Sequence, residues 1–123
     1  MTQKTTDEFE FQEEKAVNEL EKNFHNDMVN TYLVAKRLKY NPGYFWKMVC
    51  EKGGYQTAKQ LIHTESPSDG FTSLWELGRL DLSVEAHVIQ SEYKTLFTDE
   101  ERQICLNRLI EYGYTHTTFS KQT

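Results

Sequence analysis

Apolar positions along the first third of the chain recur at helical spacing. Val17, Leu20, Phe24, Met28, Thr31, Ala35 and Leu38 follow one another at intervals of three and four residues, with Val29, Tyr32 and Leu33 widening the stripe. That pattern predicts one face of a long amphipathic helix from about Ala16 to about Lys39, and neither glycine nor proline interrupts it. A helix of this length outruns a small domain, so its first turns either project or pair with a second copy of the chain. Ahead of it, residues 7–14 set five acids around Phe9 and Phe11, a pattern of a solvated lead-in or an interaction tail. Residues 1–14 read as an acidic lead-in, disordered if unpartnered. Residues 15–114 read as one helical domain, and the aperiodic residues 115–123 as a mobile tail.

Beyond Lys39 the punctuation is dense. Asn41-Pro42 predicts a stop and a restart: the Asn41 side chain accepts from the free amides of the next helix, and proline fits its first turn. A second helix then runs from about Pro42 to Lys52 with Phe45, Met48 and Val49 inward. Gly53-Gly54 ends it, because glycine reaches positive φ cheaply. A third helix covers about Tyr55 to His63, with Ala58, Leu61 and Ile62 facing the core. Ser66-Pro67-Ser68-Asp69-Gly70 has the chemistry of a turn. Phe71 to Leu77 reads as a short helix closed by Gly78, with Trp75 in the core, and Arg79–Leu82 as a tight connector or a short extended strand. Ser83 is a natural cap for a helix from Val84 to about Ser91, with Glu85 in its first turn. Thr98-Asp99-Glu100-Glu101 spells a capping box, opening a helix to about Tyr112 with Ile104, Cys105, Leu109 and Tyr112 inward and Gly113 as terminator. The expected architecture is all-α, a compact bundle of five or six helices.

Composition narrows the class. With 13% aromatic residues the domain can offset its ordering entropy, which argues against disorder as a whole. No apolar run approaches the roughly 18 residues a bilayer span needs, and the acidic N-terminus lacks the greasy stretch of a signal peptide. Two cysteines, Cys50 and Cys105, are too few for a disulfide framework or a thiolate metal site. A soluble, cytoplasmic protein is expected, with no membrane partner and no cofactor.

Charge redraws the picture. Residues 1–35 hold eight acids against three bases, and residues 64–123 hold ten against five. Between them, Lys36, Arg37, Lys39, Lys47, Lys52 and Lys59 stand against Glu51 alone, interleaved with Tyr40, Tyr44, Phe45, Trp46 and Tyr55. Cations mixed with rings suit a phosphate backbone with stacked bases. The plainer reading is two solvated helix faces whose lysines meet acids from elsewhere in the fold. Tyr44-Phe45-Trp46 cannot all point inward from one helix, so at least one ring is exposed.

Catalytic patterns are weak. His25, His63, His87 and His116 form no i,i+4 pair and no HExxH motif, so each reads as structural. A lone cysteine reads as a small buried hydrophobe. Asp69, Asp81, Glu85 and His87 loosely match a metal-dependent nuclease cluster, but such carboxylates usually hang on strands. The alternative roles are Asp69 as a cap, Asp81 paired with Arg79, and Glu85 as a first-turn helix acid.

One combination of segments is distinctive: Tyr40-Asn41, Phe45, Met48-Val49, Gly53-Gly54, Thr57-Ala58-Lys59-Gln60-Leu61-Ile62, then Gly70-Phe71-Thr72-Ser73-Leu74-Trp75-Glu76-Leu77-Gly78-Arg79-Leu80-Asp81-Leu82-Ser83-Val84-Glu85, and finally Leu96-Phe97-Thr98-Asp99-Glu100-Glu101, Arg108-Leu109 and Tyr112-Gly113-Tyr114. From Phe24 to Tyr114 it resembles a family of small all-helical bacterial proteins, found alone or attached to larger modules. The resemblance implies a helical fold and carries no catalytic residue over.

The expected function is therefore a non-enzymatic helical interaction module. Its binding residues would be Lys36, Arg37, Lys39, Tyr44, Trp46, Lys47, Lys52 and Lys59, and its partner a protein or a protein–nucleic-acid complex, with nucleic acid itself and a homodimer also open. Two alternatives stand beside it: a phage- or mobile-element-encoded inhibitor of a bacterial defence nuclease, in the manner of an anti-CRISPR protein, and a small metal-dependent nuclease.

Overall fold

The structure, a computed structural model, describes residues 2–114, with side-chain environments from Gln12 onward. All regular structure there is helical: α1 (Thr2–Arg37), α2 (Gly43–Ile62), α3 (Asp69–Glu76), α4 (Val84–Val88) and α5 (Asp99–Glu111), with single 3-10 turns at Leu80–Leu82 and Ser91–Tyr93. The expected tail, and His116 with it, lie outside the described residues.

The stripe of α1 is buried where the rest of the fold can reach it. Phe24, Met28, Thr31 and Ala35 are buried, whereas Val17 and Leu38 at its two ends are exposed. The helix takes in the acidic run ahead of Ala16, and every residue from Gln12 to Glu19 is exposed. No helix among the described residues is long and apolar enough to cross a membrane.

Helix α2 folds back along α1. Tyr32 stacks on Trp46 with ring centroids 4.2 Å apart, and His25 meets Gly54, so residue numbers fall along one helix as they rise along the other: an antiparallel hairpin. The expected second and third helices are one element broken at Gly53, whose φ of 85° and ψ of 161° leave the helical region. Two peptide groups at the break bond to side chains. The Gly53 carbonyl accepts from Thr57 Oγ1 at 2.8 Å, and the Gly54 amide donates to His25 Nδ1 at 2.9 Å. Gly54 is required by space: a Cβ there would lie 2.8 Å from the His25 Cα.

Two joined cores follow. In the larger, Phe24 meets Tyr93 and Phe97 edge-on at 5.1 and 5.2 Å, with Val49, Ala58, Ile62, Val88 and Cys105 around them. Burying a ring of this size contributes on the order of 3 kcal/mol. The smaller gathers Phe71, Leu74, Leu80, Leu82, Ala86 and Leu109. The capping box at Thr98 and Glu101 forms as expected, and Ser83 caps α4 through the Ala86 amide.

Several expectations are corrected. Trp75 is 47% exposed, because Phe71 and Leu74 already fill the groove under α3; its ring rests edge-on against Tyr112. Residues 80–82 form a 3-10 turn, not a strand. Helix α4 stops at Val88 rather than near Ser91. Cys50 is exposed and only Cys105 is buried. Asn41 makes no side-chain cap to α2, and Pro42, with ψ of 70°, sits at the cap position itself.

Candidate functional site

The basic stretch divides by its place on the hairpin. Lys36, Arg37 and Lys39 end α1, while Tyr44 and Lys47 lie in the first two turns of α2, so the connection at residues 38–42 brings them to one tip. The chain reverses there through a helix-ending motif: the Tyr40 amide donates to the Ala35 carbonyl at 3.0 Å and the Lys39 amide to that of Lys36 at 2.9 Å. Its left-handed position, usually glycine, is held by Lys39 with φ of 65°. A side chain there costs about 1–2 kcal/mol relative to glycine, and here it points a cation outward from the tip.

All four tip cations are exposed, and no ion pair among the described residues involves them. Lys36 lies 5.6 Å from the Tyr32 ring centre, over the same ring that stacks on Trp46. That stack covers one face of Trp46, which is half-buried. Tyr44 is 72% exposed, the ring that the triple-aromatic run forces outward.

The other two expected cations stand apart. Lys52 is exposed but lies about 13 Å along α2 from Gly43, at 1.5 Å per residue, and donates to Gln60. Lys59 is beyond the break and faces inward: its Nζ is 2.7 Å from Glu101. Glu101 also takes the Thr98 amide at 2.9 Å and His63 Nε2 at 2.7 Å. Burial alone would raise the Glu101 pKa, but bonds from Lys59, the Thr98 amide and His63 outweigh it and hold the carboxyl at about 2. Lys59 is thus committed to the fold, as the plainer reading of the lysines expected.

Beside the tip lies a cleft of about 540 Å³, lined by Tyr40, Tyr44, Phe45, Met48 and Phe71 and floored near Ser83–Glu85. Its volume suits a compact ligand or anchoring side chain. Several of its hydroxyls are bonded within the protein. Thr31 Oγ1 donates to the Leu82 carbonyl at 2.9 Å, and Ser83 Oγ donates to the Leu80 carbonyl at 2.7 Å. Ser68 Oγ accepts from the Phe71 amide at 3.1 Å. At the floor Glu85 is buried against Arg108, with Nη1 3.2 Å from its carboxylate. Burial raises the Glu85 pKa despite that pairing. Arg108 also donates to the carbonyls of Leu61 and Ile62, closing the C-terminus of α2.

The cleft and the Glu85–Arg108 pair escape a sequence reading, because residues 31–85 meet there only in three dimensions. The faint signals were an acid and an arginine on otherwise inward stripes. The nuclease candidates do not converge on one site: Asp81 is bound to Arg79 at 2.9 and 3.0 Å, with His87 near enough to act on its charge, Glu85 is bound to Arg108, and His87 Nδ1 meets the Ser83 carbonyl at 2.8 Å. Among the described residues no group of three or more His, Cys, Asp or Glu could hold a metal ion. The Cys105 thiol is raised far above its ordinary pKa by burial, so it carries no thiolate. Comparison with protein families, with curated proteins and with solved structures finds no match to this chain.

Proposed function

We propose that this chain is a non-enzymatic helical binding module that grips a macromolecular partner with the tip of the α1–α2 hairpin. Lys36, Arg37, Lys39, Tyr44 and Lys47 form the contact, with Trp46 and Tyr32 as its ring-stacked support and Lys52 at its margin. The observation that carries this reading is Tyr44, an exposed ring set among cations that no acid of the described chain neutralises. Exposed rings beside unpaired cations are the residues on which interfaces concentrate their energy. The two buried acids, Glu85 and Glu101, are each matched to a base, which supports a structural role for them rather than a reacting centre. The resemblance of residues 24–114 to small bacterial helical proteins fits this reading and adds no activity to it.

The test is a triple variant, Lys36→Glu, Lys39→Glu and Lys47→Glu, used as bait beside the wild-type chain in affinity purification from the host. Lys59 is left intact because its replacement would disturb Glu101. The wild type should retain a partner that the variant loses, at equal melting temperature. Equal recovery by both baits would refute the reading.

A further inference from the structure

We infer that the cleft beside the hairpin tip receives an apolar side chain from an acidic protein segment, so that the partner is a protein whose anchor is flanked by Asp or Glu, not a nucleic acid. The inference rests on the tip reading above and names the partner's chemistry.

Three observations carry it. First, tip and cleft are continuous. Tyr44 belongs to both, Lys39 is the chain neighbour of Tyr40 on the cleft wall, and Ala35 on that wall precedes the exposed Lys36 and Arg37. A segment seated in the cleft therefore runs out over the cations. Second, rings and aliphatic groups make up much of the cleft wall, and its Thr31, Thr64, Ser68 and Ser83 hydroxyls are bonded within the protein. It can therefore select an occupant by shape and apolar burial. Third, charge changes sign across the site. The ionisable residues lining the cleft, leaving its tyrosines aside, are Asp69 and Glu85, and exposed Glu65 lies next to its Ser66. Glu85 is paired with Arg108, so Asp69 and Glu65 are the carboxylates that would repel a phosphate backbone crossing from tip to cleft. An uncharged anchor meets no such repulsion, and the acids flanking it lie over the tip cations. Base stacking at the tip would fall mainly to Tyr44, because one face of Trp46 is covered by Tyr32, whereas single-strand binding uses a succession of open ring faces.

The test uses the full chain, immobilised and offered to a displayed library of random peptides. Enriched sequences should share an aromatic or aliphatic residue within two or three positions of Asp or Glu. A labelled peptide of that consensus, titrated by fluorescence anisotropy, should bind Gly70→Leu at least about tenfold more weakly, as loss of a central anchor pocket does. A Cβ at Gly70 meets only Ser68 Oγ and the Tyr40 hydroxyl, both at 3.7 Å, an ordinary contact with two cleft-lining residues, so Gly70→Ala should bind as wild type, and Gly70→Leu is compared with it at equal melting temperature. Tyr44→Ala, at an exposed position, gives a second reading independent of Gly70 and should also weaken binding at unchanged melting temperature. The Lys36, Lys39 and Lys47 triple variant should weaken it and flatten its salt dependence.

Binding lost in the triple variant but indifferent to Gly70→Leu and Tyr44→Ala would overturn the cleft inference while leaving the tip reading intact. Binding indifferent to all three would remove both. A consensus without acids, no enrichment over bare support, or preferential capture of a single-stranded DNA 30-mer with a steep salt slope would each overturn the inference.

Discussion

At the far end of α2, Lys59 lies 2.7 Å from a buried carboxylate, and a few residues on Arg108 spans Glu85 and the helix's last carbonyls. At the near end, Lys36, Arg37, Lys39 and Lys47 face solvent with no ion pair among the described residues. The residue types are the same and the sequence spacing is similar. What differs is whether the fold delivers an acid. Helix α5 brings Glu101 and Arg108 against the far end, whereas among the described residues no carboxylate forms an ion pair with a tip cation. Cations in one basic stretch therefore split into a structural set and an available set, and only the second can serve a partner.

The comparison is broken most directly through the far end. Arg108→Ala leaves Glu85 buried and unpaired and uncaps α2, so stability should fall by about 3–5 kcal/mol, read as a lower midpoint in urea. A loss under about 1 kcal/mol would mean that the inward charges do not hold the fold. Next come the glycines between the two ends. Gly54→Ala drives a Cβ into the His25 backbone and should cost about 1–3 kcal/mol. Gly53→Ala has open space but a backbone that only glycine adopts easily, and should cost about 1–3 kcal/mol through strain alone. Equal costs with different crystal responses, a shifted α1 in the first and none in the second, would separate the two causes.

Acid sharpens the contrast further. The Glu101 carboxyl is held at about 2 against an ordinary 4.5, so its folded form binds protons less readily than its unfolded form. The stability it contributes is complete above about pH 4.5 and is lost as pH falls toward 2. Melting of Glu101→Gln across that window should be flatter than wild type, with about 1–3 kcal/mol less stability at neutral pH. Taking the difference between the two proteins removes Glu85, whose raised pKa acts with the opposite sign. The smallest effect is at the tip: Lys39→Gly relieves the positive φ, and after the larger unfolded-state entropy of glycine is subtracted it should raise stability by up to about 1 kcal/mol while weakening partner binding. A loss of stability there would show that the Lys39 side chain belongs with the structural set.

Much of the fold was legible because its causes are local. The α1 stripe, the Thr98–Glu101 capping box, the break at Gly53 and the Ser83 cap each depend on residues within about one helical turn. Errors arose where a local rule was overruled: Trp75 had the right residue type for a core already filled by Phe71 and Leu74, and Asn41 had the right chemistry for a cap that the Pro42 backbone does not present.

By itself, the amino-acid order determined that the chain is helical, roughly where its helices stop, and that its positive charge is concentrated between Lys36 and Lys59. Tertiary structure alone decided which of those cations remain available, because Lys59 and Glu101 are separated by 42 residues, Arg108 and Glu85 by 23. A helix propensity or a cap is fixed by neighbours along the chain, but the partner of a charge is fixed by packing, which brings residues together irrespective of their separation in sequence.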